Sequence, residues 1–334
     1  MTLVVRASVL HGVEDFCLQY GIDYQKLLNS AGLAANIDPF AEQYIPLVNA
    51  YDLLAKLKQA SHCEHIALQL AKAHNLNILG ALGQLMLTAD TLGQAWKCAM
   101  HYQSLHSTHF LWTMTPYSPY IQMEFKPLFK FQHSIRESVE LSVANMYCVF
   151  RQITGKKWKP QAIFFSHPAP KEIKPYKDFF QTPLHFNAEF DGMWITPKDL
   201  EINLPGANPH LHTTLCHYAD TKIKSAGDDH TLQLAKGYIK HNLPAGKHQL
   251  NLIANSLGMS SRTLQRKLQQ LGYQYEALVA EVRFELSYFY LANNALPITL
   301  IADYVGYKNV STFSTAFKKH TGKTPREWRQ KQGN

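Results

Sequence analysis

The sequence predicts an α+β N-terminal domain followed by an all-α domain with two helix-turn-helix units joined by a long helix. Three observations lead to this fold class. Helical stretches give way to short β-prone runs in the first two thirds of the chain, a six-residue pattern occurs twice near the C-terminus, and positive charge is concentrated around that repeat. The 334 residues, 46% of them hydrophobic, are enough for two buried cores. We place the domains at residues 1–221 and 230–334, with residues 222–229 as the linker.

The first part of the N-terminal domain is expected to be mostly helical, because from residue 9 to about residue 100 its apolar residues recur at helical spacing. Three β-prone runs follow, and prolines between the first two indicate a hairpin. A helix at about 132–153, which Gly155 ends, separates the second run from the third. The three runs are Phe110–Met114, Tyr120–Phe125 and Ala162–Phe165.

The strongest signal is an internal repeat of the pattern Ile-Ala-x-x-apolar-Gly. It reads Ile253-Ala-Asn-Ser-Leu-Gly258 in the first copy and Ile301-Ala-Asp-Tyr-Val-Gly306 in the second, 48 residues later. A glycine with a positive φ reverses the chain at the end of a short helix, and the alanine lets a second helix cross closely. Each copy therefore predicts one helix-turn-helix unit.

In the first unit the helix after the turn has an amphipathic pattern. Ser260 is placed to cap this helix and Gly272 to end it. Leu264, Leu268 and Leu271 are spaced i, i+4, i+7, and we expect this stripe to be buried. The opposite face carries polar side chains suited to base edges and phosphates in the major groove of DNA. These candidate contacts are Ser261, Arg262, Gln265, Arg266 and Gln269.

In the second unit the apolar stripe is offset by 49 residues rather than 48, so its turn is expected to be one residue longer. Phe313 and Phe317 form this stripe and are expected to be buried. Short side chains on the outer face suit thymine methyls or single hydrogen bonds, and lysines there suit phosphates. We expect weaker base reading from this face, whose candidate contacts are Val310, Ser311, Ser314, Thr315 and Lys318.

A helix from Tyr275 to about Ala292 is predicted between the two units. At about 1.5 Å per residue it is a rod of about 27 Å, close to the ~34 Å that separates major-groove segments on one side of DNA. Past the second unit, Thr324-Pro325-Arg326-Glu327 is a capping box that begins a final short helix. The arrangement predicts tandem insertion of two helices into one face of the duplex.

Charge separates the two domains. Residues 1–224 carry 19 Lys and Arg against 18 Asp and Glu, whereas residues 225–334 carry 14 against 7. The asymmetry predicts an anionic partner for the C-terminal domain alone, and the helix-turn-helix units make promoter or operator DNA the expected one.

Residues 229–330 resemble the DNA-binding domain of AraC/XylS-type bacterial regulators. The resemblance rests on Ile301-Ala-x-x-x-Gly306-Tyr307, Ser311-x-Phe313-x-x-x-Phe317-Lys318 and Gly322-x-Thr-Pro325-x-x-x-Arg329. It implies a transcription regulator whose recognition helices are 261–271 and 310–320, with Arg262, Gln265 and Arg266 reading bases. The chain departs from the family at Thr315, where many members carry Arg or another large polar residue.

The N-terminal domain is similar to the effector domain of ornithine-utilisation-type regulators, which is of the arabinose-binding kind and not a cupin barrel. Ala31-Gly-Leu33, Leu79-Gly-Ala-Leu-Gly83 and Ile153-Thr-Gly155 carry this likeness. It implies control by a small-molecule effector of unknown identity. RNA polymerase is expected as a further partner, and the chain is expected to pair into a homodimer. The interpretation is thus a DNA-binding transcription regulator under effector control.

Candidate effector contacts come from the aromatic residues of the predicted hairpin. Trp112, Tyr120 and Phe125 alternate along it, and one face is placed to line an apolar cavity, with Arg136 available for a carboxylate. Packing in the core explains the three aromatic residues equally well.

Other functions have less support. His101, His106 and His109 are close in sequence, but His106 and His109 would share a helical face only if the helix continued into a β-prone run, so we expect no metal site and no cofactor. Glu137 and Glu140 are interpreted as ordinary ion-pair partners, and the motifs of hydrolases, phosphate loops and dinucleotide sites are absent from the sequence, so an enzyme is not expected. A hydrolase or transferase would need a catalytic dyad in a cleft. The second alternative is an RNA-binding or purely scaffolding protein, and a reader of single-stranded RNA would need exposed aromatic rings in the repeat.

The expected compartment is the cytoplasm. The five cysteines form no Cys-x-x-Cys pair, which argues against a disulfide framework and a zinc ribbon. No run reaches the roughly 18 apolar residues of a membrane span, and charge interrupts the N-terminus before a signal peptide can form.

Overall fold

The computed structural model describes residues 4–332 except 40, 42, 108–109, 129–134, 156, 226–229, 258 and 294–295. Within these residues an N-terminal α+β domain is followed by a helical domain, as the sequence predicts. Among the described helices, none is long and apolar enough to cross a lipid bilayer. All five cysteines are free thiols.

The N-terminal domain begins with a small sheet and a layer of helices. Strand β1 (Val4–Arg6) pairs antiparallel with β2 (Tyr44–Pro46). Neither strand was predicted, because three residues are too few for a period-2 pattern to register. The helices of this layer are α1 (Val13–Gln19), α2 (Tyr24–Ser30), α3 (Leu47–Ser61), α4 (Ile66–Ala73), α5 (Ala81–Leu87) and α6 (Leu92–His101).

A five-stranded sheet forms the other half of the domain. Its strand order is β3-β4-β7-β5-β6, and all neighbours are antiparallel except β5 and β6. The three predicted runs are confirmed as β3, β4 and β5. The strands are β3 (Phe110–Tyr117), β4 (Tyr120–Pro127), β5 (Ala162–Phe164), β6 (Leu184–His185) and β7 (Asp191–Ile195).

The central strand β7 escaped the sequence analysis because it is short and contains Gly192. This glycine has a φ of +154°, and a Cβ atom there would lie 2.0 Å from the carbonyl oxygen of Met123. A residue that weakens strand propensity is therefore what allows β7 to pair closely with β4.

Helix α7 (Arg136–Thr154) packs against β4, β7 and α4. Tyr147 and Phe150 on this helix are fully buried, and Gly155 forms its C-cap, as predicted. The predicted start near residue 132 falls among residues outside the described part of the chain. Helix α8 (Lys174–Phe180) closes the core beside α7, where the hydroxyl of Tyr147 donates to the carbonyl oxygen of Phe180 at 2.8 Å.

Helix α9 (Pro209–Ser225) packs back on the N-terminal domain and then leads to the helical domain. The first four residues of the predicted linker, 222–225, belong to the last turn of α9, and residues 226–229 lie outside the described residues. Residues 222–225 are helical because α9 is held against the N-terminal domain just before them. Asp220 accepts a hydrogen bond from the hydroxyl of Tyr102 at 3.0 Å, and Ala219 is fully buried.

The helical domain contains two short helix pairs and a long connector. The predicted connector is confirmed as α13, whose 19 residues span about 28 Å. The helices are α10 (His230–Asn242), α11 (Leu250–Ser256), α12 (Ser261–Gln270), α13 (Tyr275–Asn293), α14 (Ile298–Tyr304), α15 (Val310–Thr321) and α16 (Pro325–Gln332).

The two domains touch where α10 lies against β3. A Cβ atom built on Gly237 of α10 would lie 3.5 Å from side-chain carbons of both Leu111 and Leu128. Both leucines are buried. Gly237 therefore lies on the side of α10 that faces these two leucines.

Candidate DNA interface and effector cavity

The turn of each helix-turn-helix unit is closed by the same backbone hydrogen bond. The amide of Met259 donates to the carbonyl oxygen of Ala254, and 48 residues later the amide of Tyr307 donates to Ala302, both at 2.9 Å. Both alanines are fully buried, which gives the close helix crossing that the repeat predicts. Gly258 lies outside the described residues, whereas Gly306 has the predicted positive φ, at +76°.

The helix after each turn starts with a side-chain cap. The hydroxyl of Ser260 accepts from the amide of Thr263 at 3.1 Å, and Oδ1 of Asn309 accepts from the amide of Thr312 at 2.9 Å. Because the two caps are 49 residues apart and the turns 48, the second turn is one residue longer, as predicted. These caps fix where α12 and α15 begin, and hence which side chains face outward.

On α12 the predicted polar face is exposed to solvent. Leu264 and Leu268 are fully buried, so the helix is anchored from one side. The prediction for Leu271 was wrong: it is 37% exposed, because it is the C-cap and the chain turns at Gly272 immediately after it. The exposed side chains are Arg262, Gln265, Arg266 and Gln269, with Ser261 half-buried at the start of the helix.

On α15 Phe313 and Phe317 are buried, as predicted. The ring of Phe317 contacts the rings of Tyr288 and Trp328, which also contact each other, so the connector and the last helix both support it. Because Phe313 and Phe317 are buried, their rings cannot stack on the bases of single-stranded RNA, as the RNA-reading alternative requires. The outer side of α15 has Ser311, Thr315 and Lys318 exposed, with Val310 and Ser314 half-buried.

Two acidic residues of the helical domain, Glu281 and Glu285, are paired with lysines of the same domain. Nζ of Lys236 lies 2.6 Å from Glu281 and 3.3 Å from Glu285, and Nζ of Lys240 lies 2.9 Å from Glu285. Although burial favours the protonated form, the charges of Lys240 and Lys236 hold the pKa of the Glu285 carboxyl below its usual value. These ion pairs join α10 to α13, so their carboxylates do not offset the positive charge of α12.

The predicted capping box is present at the start of α16. The amide of Thr324 donates to Oε2 of Glu327 at 2.8 Å, and the amide of Glu327 donates to Oγ1 of Thr324 at 3.3 Å. These hydrogen bonds lower the pKa of the Glu327 carboxyl. The final helix is thus fixed against Phe317 through Trp328.

The N-terminal domain contains an apolar cavity of about 120 Å³. Its walls come from β1, the helical layer, β3 and α7, so residues from widely separated parts of the chain line it. Trp112 is the one predicted effector contact among its lining residues. Gln103 and His106 add polar atoms at the wall, and the sequence offered no signal for them because no local pattern connects them to the other elements.

The other three predicted effector contacts lie elsewhere. Phe125 is paired with Trp112 across the hairpin but is packed in the core, with ring centroids 5.5 Å apart. Tyr120 is five residues from Phe125 and therefore on the opposite face of the sheet, because side chains alternate along a strand. It stacks on Trp194 there, with centroids 5.3 Å apart.

Arg136 is committed to a buried carboxylate. Its Nε donates to Oε1 of Glu140 at 2.9 Å, and the hydroxyl of Tyr176 lies 2.9 Å from both oxygens of that carboxylate. Nε2 of His167 is 3.0 Å from Oε1 of Glu140. Burial alone would raise the pKa of the Glu140 carboxyl, but His167 and Arg136 lower it below its usual value. Arg136 and Glu140 thus form the ion pair expected for the acidic residue rather than a carboxylate receptor.

Glu137 forms the second expected ion pair, with Nζ of Lys58 at 2.8 Å. Glu137 and Glu140 are therefore each paired with a basic residue and do not face one another as a catalytic pair would. Within the described part of the chain, no three histidine, cysteine, aspartate or glutamate side chains cluster closely enough to hold a metal ion. His109, one of the three histidines considered above, lies outside that part.

Known protein families match both domains. Residues 21–204 match the model described as the arabinose-binding domain of AraC transcription regulator, N-terminal, and residues 253–331 match a helix-turn-helix domain. Two curated relatives align over nearly the whole chain. They are HTH-type transcriptional regulator VirS of Mycobacterium tuberculosis, 23% identical over 332 residues, and the ornithine utilization regulator of Pseudomonas aeruginosa, 23% identical over 335 residues. Each alignment covers 98% of this chain and 96% of the relative.

One solved structure has the same overall arrangement. The crystal structure of transcriptional regulator CdpR from Pseudomonas aeruginosa superposes with a TM-score of 0.50 at 17% identity, over 97% of this chain and 98% of CdpR. The likeness extends through both domains and shows a shared fold.

Proposed function

The chain belongs to the AraC family of transcription regulators, with a helix-turn-helix domain behind an N-terminal domain of the arabinose-binding type, and from this premise we propose how it reads DNA and what controls it. It is a sequence-specific DNA-binding regulator. The observation that carries the proposal is the repeated turn and capped helix on either side of a single 19-residue connector.

Base reading is assigned to the exposed face of α12. Arg262, Gln265 and Arg266 lie opposite the buried Leu264 and Leu268, on a helix held by its cap and by its packing. Arginine and glutamine side chains form bidentate hydrogen bonds with guanine and adenine edges, respectively. Gln269 and Ser261 complete this face.

The face of α15 is assigned a weaker share of base reading. Its exposed Ser311 and Thr315 are short, and Val310 and Ser314 are half-buried, which limits their reach into the groove. Lys318 is exposed and suited to a phosphate. Sequence preference is therefore expected mainly from α12, with α15 positioning the protein on the duplex.

Control by a small molecule is assigned to the cavity of the N-terminal domain. Phe110 and Trp112 of β3 line the cavity, while Leu111 between them packs on the other face of the strand against α10. One strand thus touches both the cavity and the DNA-binding domain. A ligand that shifts β3 would change the placement of α10, and linkage requires that DNA change the ligand affinity by the same factor.

Three finer points belong to the same proposal. Contact with RNA polymerase at the promoter is part of the proposal. Pairing into a homodimer would place four helix-turn-helix units on the DNA and is tested by sedimentation velocity. We assign the protein to the cytoplasm and give it no catalytic role, in keeping with the regulator relatives.

DNA recognition is tested with the full chain and a random-sequence duplex library, from which bound DNA is selected and sequenced. We expect an enriched motif. Arg266→Ala should then cost about 1–3 kcal/mol on the selected site and much less on random DNA. Lys318→Ala is the matched control, because loss of a phosphate contact weakens both DNAs alike and lowers the salt dependence. Failure to enrich any motif, with unspecific binding only, would contradict the proposal.

A further inference from the structure

The N-terminal domain buries an arginine that has no acid beside it among the described residues. Arg6, on strand β1, is only 9% exposed, and a buried arginine is normally paired. No described residue accepts a hydrogen bond from its guanidinium or places a carboxylate within ion-pair distance of it. A buried charge without a partner is costly, because burial removes its hydration and nothing replaces it.

The two terminal nitrogens of Arg6 can be reached from outside the side chain. Within the described part of the chain, Nε is the one nitrogen of this guanidinium that is both fully shielded and without a partner. Nη1 and Nη2 have no partner there either, so they retain accessible surface. These two nitrogens belong to the fork that binds a carboxylate through parallel hydrogen bonds. Arg6 is therefore built as an anion receptor.

The guanidinium lies beside one wall of the apolar cavity. Val5, the residue before Arg6, lines the cavity and forms a β-bridge with Ser107. His106, the neighbour of Ser107, lines the cavity too. Burial, and after it the positive charge of Arg6, lowers the pKa of the His106 imidazole to about 4, which shows that the guanidinium and the imidazole are close.

Gly80 makes room for the guanidinium on its other side. A Cβ atom on this residue would lie 3.0 Å from Cζ and Nη2 of Arg6 and 3.1 Å from Nη1, so a side chain there would displace the charged group. Leu79, just before Gly80, lines the cavity. Residues 79–83, which carry part of the resemblance to effector domains, thus place a glycine where the charged group needs space.

The cavity itself supplies no charge. Among its described lining residues there is no Asp, Glu, Lys or Arg, and most are aliphatic or aromatic. A volume of about 120 Å³ is of the order that holds one benzene ring. Arg6 is therefore a positive charge next to a space that suits a small apolar body.

We propose that the effector is a small monocarboxylate with an apolar body about the size of a benzene ring, whose carboxylate pairs with Arg6 while the body occupies the cavity. The proposal rests on the proposed function in that it takes this cavity as the effector site, and it names the class of ligand. The carboxylate receptor that the sequence predicted at Arg136 is then Arg6, because Arg136 is committed to Glu140.

Other classes of ligand match this arrangement less well. A phosphate monoester carries about 1.5 to 2 negative charges at neutral pH, of which one guanidinium balances one. A neutral ligand would leave Arg6 without an anion, and an organic cation would be repelled by it. A sugar would bury hydroxyl groups against hydrocarbon walls.

Isothermal titration of the full chain at neutral pH tests the class with matched probes. Benzoate and benzamide have nearly the same shape and differ in charge, whereas phenyl phosphate carries more negative charge on the same ring. We expect benzoate to bind roughly tenfold or more tightly than benzamide, because charge-assisted hydrogen bonds are the stronger ones, and phenyl phosphate to bind more weakly than benzoate. Equal affinities of benzoate and benzamide, no binding of benzoate, or a preference for phenyl phosphate would overturn the proposal.

Variants of Arg6 locate the carboxylate. Arg6→Met keeps the aliphatic stem and removes the charge, so benzoate should weaken roughly tenfold while benzamide binding is retained. Arg6→Lys restores the charge without the fork and should recover part of the preference for benzoate. Arg151→Met is the matched control, since Arg151 donates to the hydroxyl of Tyr147 at 3.1 Å and lies outside the cavity lining. A preference for benzoate that survives in Arg6→Met would contradict the assignment.

Thermal unfolding without ligand distinguishes a receptor from a structural arginine. Because an unpaired buried charge destabilises the folded chain, Arg6→Met should have an unchanged or higher Tm. Arg151→Met loses a hydrogen bond and should have a lower Tm. Benzoate should raise the Tm of the wild type and of Arg151→Met but not that of Arg6→Met. A larger drop in Tm for Arg6→Met than for Arg151→Met would show that Arg6 holds the fold together instead.

A DNA-binding measurement separates this proposal from the proposed function. If benzoate binds with the expected preference but leaves affinity for the selected DNA unchanged, the ligand class stands and control through DNA affinity fails. If the selected DNA is bound and benzoate does not bind, DNA recognition stands and the ligand class fails.

Discussion

Arg283, in the middle of the connector α13, is bound to His248, which lies just before the first helix-turn-helix unit. Nη2 of Arg283 is 3.1 Å from Nε2 of His248. The same nitrogen donates to the carbonyl oxygen of Gly306 at 3.2 Å, in the turn of the second unit, and the guanidinium lies 4.8 Å from the ring centre of Tyr307. One side chain therefore joins both units to the connector and fixes their mutual orientation.

Replacing Arg283 should destabilise the helical domain. Arg283→Met keeps the aliphatic stem but leaves the carbonyl of Gly306 and the ring of His248 without their donor, so we expect a loss of about 1–3 kcal/mol. Urea unfolding followed by circular dichroism measures it. Arg262→Met is the control, because Arg262 is exposed on α12 and should change stability by at most about 0.5 kcal/mol. Equal small losses would show that Arg283 does not hold the units together.

Two glycines with similar backbone conformations should respond differently to alanine. Gly306 and Gly272 have φ of +76° and +83°, but a Cβ at Gly306 would lie 2.7 Å from the carbonyl oxygen of Leu243, whereas a Cβ at Gly272 meets nothing within 4 Å. Gly272→Ala should cost about 1 kcal/mol of conformational strain, and Gly306→Ala at least about 2 kcal/mol. Thermal unfolding of the two variants compares them, and equal shifts in Tm would contradict the packing argument.

The contact between the domains can be tested at Gly237. Gly237→Ala fills an ordinary van der Waals space against Leu111 and Leu128 and improves helix propensity, so stability should rise by about 0.5–1 kcal/mol. Gly237→Phe cannot fit between α10 and β3 and should separate the domains. Small-angle X-ray scattering is expected to show a larger radius of gyration for the phenylalanine variant alone. An unchanged radius in both would show that this contact does not hold the domains.

Acid should destabilise the N-terminal domain through His106. The pKa of this imidazole is about 4 in the folded protein, because of burial and the charges of Arg6 and His74, against about 6.5 when unfolded. Above pH 6.5 the His106 imidazole is neutral in both the folded and the unfolded chain, so it does not change the stability with pH there. As the pH falls from 6.5 toward 4 the unfolded chain takes up a proton that the folded chain does not, so stability is lost.

Urea unfolding at pH 7.5 and pH 4.5 measures this loss. His106→Phe removes the titrating group, so the variant should lose about 2–3 kcal/mol less than the wild type between these pH values. His101→Phe, at an exposed position, should behave as the wild type does. An identical loss in the wild type and His106→Phe would assign the acid sensitivity elsewhere, for instance to His74, whose pKa is also about 4 because of burial.

Patterns of residues a few positions apart were enough to predict the helical domain. The repeat around Ala254 and Ala302, the Ser260 cap and the Thr324–Glu327 box each depend on local backbone geometry, and each has its predicted form. The exception is Leu271, where helical spacing continued in the sequence past the point at which the helix itself ended. Periodicity cannot show that the chain has already turned.

The sequence by itself determined the order of the domains, the two helix-turn-helix units and the exposed polar face of α12, because these follow from spacing within one helix or one turn. Only the tertiary structure decided the effector cavity, the commitment of Arg136 to Glu140 and the placement of Tyr120 on the opposite face from Phe125. It also brought Gln103 and His106 to the same wall as Trp112. A cavity is formed by side chains that converge from distant segments, and the direction in which they converge is set by how helices and strands pack.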